Sequence, residues 1–214
     1  MNANVNEVTE ERRQPPPLGP SISRLRRALS KYARDVKADF ELMRDGRAKY
    51  LGDSIGAEAL PVETFKRIGL QMMVAIRSMH LLRDAGFAPG AQAASRLIRY
   101  VYAAEIHWQS RWEPGVNIVH GNGLVVGSCA QIRSGCVLLH NVTLGDAFDQ
   151  ASGVIGGPDL GENVHVGPNS TLLGPITIGS NSKIMAGSTL AQSVPPGSLV
   201  RPAAVTVTLR DNNR

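Results

Sequence analysis

Hydrophobic residues recur at two different spacings along this chain of 214 residues. Between residues 21 and 104 they lie three or four positions apart, which is the spacing of one face of an α-helix. The pattern predicts a first helix that ends near Met43, a second over about 62–84 and a third over about 91–104. Residues 21–104 are therefore predicted to form an α-helical domain.

From Glu105 onward a six-residue period replaces the helical one. One series at this spacing is entirely aliphatic: Leu160, Val166, Leu172, Ile178, Ile184 and Leu190. A second series, small or aliphatic, follows four positions after each member of the first: Val164, Ser170, Ile176, Ser182, Ser188 and Val194. Earlier residues at the same spacing are assigned to the same register: Ile118, Leu124, Ala130, Cys136 and Val142. Such repeats indicate stacked coils, because a short unit buries its apolar face only against its neighbours.

The period predicts a parallel β-helix over residues 105–204, in which three hexads close one triangular coil. One aliphatic residue per hexad points inward, and a smaller inward residue fits near the corner. Gly161, Gly167 and Gly179 are expected to supply the positive φ that the turns need. The repeat weakens over 146–159, so this segment is predicted to leave the coil as a loop of the kind that carries function.

Composition and charge exclude several classes of function. Aromatic residues make up only 5% of the chain, which argues against a platform for stacking nucleic-acid bases. The net charge of +5 comes from basic residues interleaved with acidic ones, as on a solvated helix face, so no nucleic-acid partner is expected. The longest apolar run is interrupted by Arg77 and His80, so no membrane span is expected.

The remaining compositional signals concern the chain ends and the compartment. Residues 1–20 are polar and rich in proline, which predicts a disordered tail without a signal peptide, and residues 205–214 are predicted to be a C-terminal tail. The chain has two cysteines, Cys129 and Cys136, which are expected to be small core residues in a reducing compartment. A cytoplasmic location is therefore predicted.

Five short segments of the repeat region resemble the serine acetyltransferases, acyltransferases built from hexapeptide repeats. They are Glu105-Ile106-His107, VHGNGLVVG at 119–127, VTLG at 142–145, LLGPITIG at 172–179 and SVPPGS at 193–198. The resemblance implies an α+β fold, in which the helical domain precedes a left-handed parallel β-helix. It also implies a homotrimer or a dimer of trimers.

The resemblance implies acetyl transfer from acetyl-CoA to the hydroxyl of serine or a serine-like small acceptor, without a metal. A hydroxyl is a weak nucleophile at neutral pH, and histidine is the side chain best suited to take its proton. His120, in the turn Val119-His120-Gly121, matches the family's catalytic base, and Glu105 matches the carboxylate that orients it. Without the motif around it, a single histidine in such a turn would be assigned a structural role.

The resemblance also assigns binding residues. Gly145, Ala186 and Gly187 match positions along the groove between subunits where the family binds its acyl carrier. Asp45 is matched to the acceptor's amino group, and His140 is a candidate contact for the acceptor. His107 is interpreted as structural or as lying on the acceptor side.

The chain departs from the family pattern where the acceptor binds. Val119 stands where the family has an aspartate before the catalytic histidine. Gly156-Gly157-Pro158 stands where the family has Arg-His-Pro, whose charged side chains help to hold the carboxylate of serine. The C-terminal Asp-Asn-Asn-Arg lacks the isoleucine through which family members join the cysteine synthase complex, so no such complex is expected. A different or relaxed acceptor is therefore predicted.

Three hypotheses remain open from the sequence. The first is acetyl transfer to serine or a related small hydroxy compound. The second is O-acetylation of a sugar or exopolysaccharide precursor, which needs no clamp for a carboxylate. The third is a trimeric scaffold without catalysis, which the retained pair of Glu105 and His120 argues against, because packing of the solenoid requires neither residue.

Overall fold

The structure is a computed structural model that describes residues 21–51, 62, 64, 66–150 and 153–203, with backbone only for 46–51. The tails predicted at 1–20 and 205–214 lie outside these residues. Three helices precede the repeat region: α1 (Ile22–Leu51), α2 (Ile68–Asp84) and α3 (Ala88–Tyr102). The first of them extends past Met43, where the hydrophobic pattern predicted its end. None of the helices in these described segments combines the length and apolar character needed to cross a bilayer.

The repeat region forms a parallel β-solenoid with three faces, as predicted. Face A contains β1 (Glu105–Ile106), β4 (Val125–Val126), β7 (Thr143–Gly145), β12 (Thr171–Leu173) and β15 (Thr189–Leu190). Face B contains β2 (Arg111–Trp112), β5 (Gln131–Ile132), β10 (Asp159–Leu160) and β13 (Thr177–Ile178). Face C contains β3 (Asn117–Val119), β6 (Val137–Leu139), β11 (His165–Val166), β14 (Lys183–Ile184) and β16 (Leu199–Val200). Five coils therefore stack on one another.

The predicted loop is confirmed as an antiparallel hairpin that leaves the solenoid after β7. Its strands are β8 (Ala147–Asp149) and β9 (Val154–Gly156). Phe148 and Ile155 face each other across this hairpin, and each is 60% exposed. Phe148 therefore does not continue the buried series, although the six-residue count reaches it.

The inward position predicted for Ile118 is confirmed, but the register assigned to Leu124, Ala130, Cys136 and Val142 is wrong by two residues. Ile118 pairs with Leu138, and the next inward residue on face A is Val126, which lies eight positions after Ile118. Leu124 and Cys136 are buried, but they occupy the second, corner-filling series. The shift arises because five residues separate β3 from β4, whereas three separate β6 from β7. The two additional residues lie in the turn that contains His120.

The left-handed turns between strands are supplied by asparagines and by glycines other than the three expected ones: Gly115, Gly123, Gly135, Gly174, Gly187 and Gly197. The non-glycine residues with positive φ in the solenoid are His120, Asn141, Asn163, Asn169 and Asn181. Asparagine adopts this conformation more readily than most residues. The side chain of Asn141 also donates to that of Asn169 in the neighbouring coil over 3.0 Å. Gly161, Gly167 and Gly179 have ordinary φ values, and a Cβ atom there would collide with the backbone of the next coil. Their role is close approach between coils.

A buried ion pair joins the helices to the first coil. The guanidinium of Arg77 on α2 donates to both oxygens of Asp39 on α1, over 2.8 and 2.9 Å. It also donates to the carbonyl oxygens of Trp112 and Glu113 on the solenoid. Asp39 in turn accepts from the backbone N–H groups of Gly115 and Val116. The helical region is therefore fixed to β2 and to the turn that leads into β3, directly before His120.

Candidate functional site

His120 lies at an irregular corner of the solenoid. We call the turn His120–Gly123, between β3 and β4, the His120 corner. His120 has the left-handed backbone conformation, with φ of 54°, and its side chain is exposed. A non-glycine residue in this conformation is uncommon and is often found at functional sites. The imidazole is therefore presented to solvent. Among the turns from face C to face A in the described coils, only this one is two residues longer than the six-residue repeat requires.

Helix α2 shapes this corner from the inside. Gly121 packs against Met72, and a Cβ atom at Gly121 would lie 2.6 Å from Cγ2 of Ile118. Gly69 lies at the start of α2, where a Cβ would collide with the carbonyl oxygen of Ile118. The helix thus fills the space beneath the turn. This packing explains why the additional residues bulge outward and present His120 on the surface.

His140 lies at the same corner, one coil further along. The rings of His120 and His140 meet edge to face, with centroids 6.4 Å apart and an interplanar angle of 69°. Nδ1 of His140 is buried and has no hydrogen-bond partner among the described residues. His140 is a turn residue and does not fill the inward position, which belongs to Val142. The structure therefore brings together two of the residues singled out from the sequence.

Glu105 lies close to the His120 corner but does not hold the imidazole. Its backbone N–H donates to the carbonyl oxygen of Leu124, directly after the corner, and the N–H of Gly123 in the corner donates to Ala103, two residues before Glu105. The carboxylate itself forms an ion pair with the guanidinium of Arg99 on α3. The side chain of Glu105 is 55% exposed in this pair. The sequence analysis expected the carboxylate of Glu105 to orient His120. In the structure this carboxylate pairs with Arg99 instead.

A second corner, on the opposite edge of face A, is built around Asp146. The carboxylate accepts hydrogen bonds from Ser128 N over 2.8 Å, from Ser128 Oγ over 2.7 Å and from Cys129 N over 3.1 Å. We call residues 127–129 together with Asp146 the Asp146 corner. His107 lies nearby: burial lowers its pKa, and the negative charges of Asp146 and Glu105 oppose that shift. The sequence pattern did not identify this corner, although Asp146 opens the predicted loop.

The two cysteines have different environments. Cys136 is buried, its Sγ donates to the carbonyl oxygen of Gly161 over 3.1 Å, and burial raises the pKa of its thiol to about 11. Cys129 is exposed at the Asp146 corner, so the expectation that both are core residues is wrong for Cys129. Its backbone N–H, and not its thiol, contacts Asp146. Cys129 therefore contributes to this corner through its main chain.

The residues assigned to the acyl carrier fall on both edges of face A. Ala186 and Gly187 are exposed in the turn between β14 and β15, at the corner of the solenoid that also holds His120 and His140. With about 4.8 Å between coils, they lie roughly 14 Å along the solenoid from His120. Gly145 ends β7 on the other edge, next to Asp146. One edge of face A therefore contains His120, Ala186 and Gly187, and the opposite edge contains Gly145.

Asp45, the residue matched to the acceptor's amino group, lies far along α1. It is exposed, and its carboxylate accepts a hydrogen bond from Nε of Arg44 over 3.3 Å. No hydrogen bond in the described segments connects it to the His120 corner. Its role in binding the acceptor stays a prediction.

Comparisons with known proteins agree with this architecture. Residues 157–192 match the bacterial transferase hexapeptide family (six repeats). The serine acetyltransferase of Mycobacterium tuberculosis is 33% identical over 159 residues, which cover 73% of this chain and 67% of that protein. The serine acetyltransferase of Helicobacter pylori is 33% identical over 133 residues, which cover 61% of this chain and 75% of that protein. The chain thus spans two thirds to three quarters of these relatives.

Solved structures of the same group share the fold. Serine acetyltransferase isoform 3 of Entamoeba histolytica, in complex with cysteine, superposes with a TM-score of 0.72 at 27% identity, covering 90% of this chain and 66% of that one. The Neisseria gonorrhoeae enzyme in complex with serine gives a TM-score of 0.68 at 28% identity, covering 81% of this chain and 69% of that one. The resemblance seen in the sequence motifs is confirmed, and this chain belongs to the serine acetyltransferase family of acyltransferases.

Proposed function

We propose that this chain transfers the acetyl group of acetyl-CoA to the hydroxyl of serine or a serine-like small acceptor, with His120 as the general base. Family membership supports the reaction class. The observation that carries the assignment of the base is the exposed imidazole in a left-handed turn, at the corner where two additional residues interrupt the coil. A regular coil needs neither the additional residues nor a histidine there.

In the proposed reaction, the imidazole of His120 accepts the hydroxyl proton as the acceptor oxygen bonds to the thioester carbon. The carbon–sulfur bond then breaks, and the imidazolium returns the proton to the leaving thiolate. Histidine is the side chain suited to both steps, because a free imidazole exchanges a proton close to neutral pH. The exposed position of His120 leaves both substrates free to approach the ring.

Glu105 and His140 are the neighbours proposed to assist His120. The ion pair between Glu105 and Arg99 is half exposed, and exposed pairs are worth only about 0–1 kcal/mol. The carboxylate can therefore leave Arg99 at small cost to stabilise a charged imidazole beside it. Nδ1 of His140 is buried and has no hydrogen-bond partner in the part of the chain that the structure describes, and its ring meets that of His120 edge to face, which supports the assignment of His140 as a contact for the acceptor.

The acyl carrier is proposed to lie along the edge that contains Ala186 and Gly187. At Gly187 a Cβ atom would have no atom within 4 Å, so this edge is open to a long, thin ligand. Gly145 lies on the opposite edge of face A, so one protomer does not place all three residues on one groove. We propose a homotrimer, or a dimer of trimers, in which the two kinds of edge face each other across neighbouring subunits.

A thiol-release assay with acetyl-CoA and serine tests the proposal. His120→Asn is the informative variant, because asparagine keeps the left-handed backbone while it removes the base. We expect turnover to fall by about a hundredfold or more. His165→Asn is the matched control: His165 is half-buried on β11, away from the His120 corner, and its variant should retain turnover. Equal turnover of the two variants would remove the assignment of His120, and a monomeric mass in solution would contradict the shared groove.

A further inference from the structure

The Asp146 corner has the features of an anion-binding site whose occupant belongs to the chain itself. Two consecutive backbone N–H groups, of Ser128 and Cys129, and the hydroxyl of Ser128 all donate to the carboxylate of Asp146. Successive backbone N–H groups that converge on one point form a concavity that favours negative charge. The side chain of Asp146 fills this concavity with its own two oxygens.

Two glycines enclose the carboxylate and leave no room for a second anion. A Cβ atom at Gly157 would lie 2.5 Å from Oδ1 of Asp146, and one at Gly127 would lie equally close to the same atom. A Cβ at Gly157 would also lie 2.9 Å from the backbone nitrogen of Ala130. An arginine or histidine side chain at position 157 therefore cannot enter this corner while Asp146 stays in place.

The charges around the corner do not favour an incoming carboxylate. His107 faces the carboxylates of Asp146 and Glu105, and burial lowers the pKa of its imidazole, which favours the neutral form. An acceptor that brought a carboxylate here would meet the fixed negative charge of Asp146, and juxtaposed like charges are strongly unfavourable.

We infer that Asp146 is a specificity-determining residue, which selects small hydroxyl acceptors that carry no carboxylate beside the reacting carbon, such as amino alcohols and amides of hydroxy amino acids. This inference rests on the proposed function, because it concerns the acceptor of that reaction. In the proposed trimer, the edge that contains Asp146 faces the edge of the neighbouring subunit that contains His120, so the Asp146 corner lies beside the acceptor. Asp146 directly follows Gly145 and precedes the hairpin, and Gly157, which packs against its carboxylate, lies in the segment Gly156-Gly157-Pro158 that departs from the family pattern.

Serine and serinamide are the matched pair of acceptors that tests the inference, because they differ in charge and hardly in size. Thiol release gives kcat/KM for each acceptor with the wild-type protein, with Asp146→Asn and with Asp146→Gly. We expect wild type to use serinamide at least about tenfold better than serine. Asp146→Gly should lower that ratio by about tenfold or more, because the N–H groups of Ser128 and Cys129 then become free to bind the carboxylate of serine. Asp146→Asn keeps the shape, so it isolates the contribution of the charge.

Calorimetric titration of both acceptors into wild type and Asp146→Gly supplies a readout that does not depend on turnover. A gain in affinity for serine, but not for serinamide, on removal of the Asp146 side chain supports the inference. A wild-type preference for serine, or a ratio unchanged in Asp146→Gly, overturns the inference while the proposed function stands. Absence of thiol release with every acceptor overturns the proposed function. In that case the titration still tests the inference, which is overturned if wild type and Asp146→Gly bind serine with equal affinity.

Discussion

Removal of the Arg77 guanidinium should be the most damaging single change to the junction between the helices and the solenoid. Arg77 is 1% exposed, and its replacement by methionine would leave the equally buried carboxylate of Asp39 without its cation. It would also leave the carbonyl oxygens of Trp112 and Glu113 without a donor. Breaking one partner of a buried pair costs about 3–5 kcal/mol. For a chain of this size that corresponds to a fall in melting temperature of roughly 6–20 °C.

Denaturant unfolding followed by circular dichroism measures this loss directly. Arg96→Met is the matched control: Arg96 is exposed on α3, and its replacement should change the unfolding free energy by less than about 0.5 kcal/mol. A double-mutant cycle with Asp39→Asn separates the pairwise energy from the loss of the two carbonyl contacts. A loss below about 1 kcal/mol for Arg77→Met would refute the reasoning, because it would mean that water or another donor replaces the guanidinium at little cost.

Two further predictions concern stability. Both ring nitrogens of His80 are buried and lack a hydrogen-bond partner among the described residues, and burial lowers the pKa of its imidazole well below the ordinary 6.5. The imidazole of His80 therefore takes up a proton more readily in the unfolded chain than in the folded one. The unfolding free energy should fall by about 1.4 kcal/mol per pH unit as the pH drops below 6.5. Urea titration at several pH values measures this dependence, and His80→Leu should flatten it. Asn163 has a φ of 56°, which alanine adopts only with strain and glycine adopts freely. Asn163→Ala should therefore lower the unfolding free energy by about 1–2 kcal/mol, and Asn163→Gly should lower it less. Equal losses of the two variants in thermal unfolding would show that the backbone conformation is not the cause.

The solenoid itself could be predicted from the sequence because its repeat is local. Each hexad contributes one inward aliphatic residue, and Leu160 to Leu190 preserve that spacing without interruption, so counting alone places them in the core. The loop over 146–159 could also be predicted, since the repeat weakens where the chain leaves the coil, whereas its antiparallel pairing could not. His120 could be found because its motif lies in a contiguous stretch of chain.

The geometry of the candidate site could not be predicted, because it depends on groups that are distant in sequence. The two-residue shift of the repeat at the His120 corner follows from the packing of α2. Its Gly69 and Met72 lie against Ile118 and Gly121, about 50 positions further along the chain. The pairing of Glu105 with Arg99 depends on where α3 docks, and the occupied corner at Asp146 depends on the stacking of β4 and β7.

The sequence by itself determined that this protein is a helical region followed by a coiled stack of short parallel strands, since a period of six residues and the helical period are properties of neighbouring positions. Only the tertiary structure decided which side chains meet at the corners. There, backbone N–H groups, carboxylates and imidazoles from different coils come within a few ångströms of one another, and hydrogen bonds and charge interactions act only at such short range.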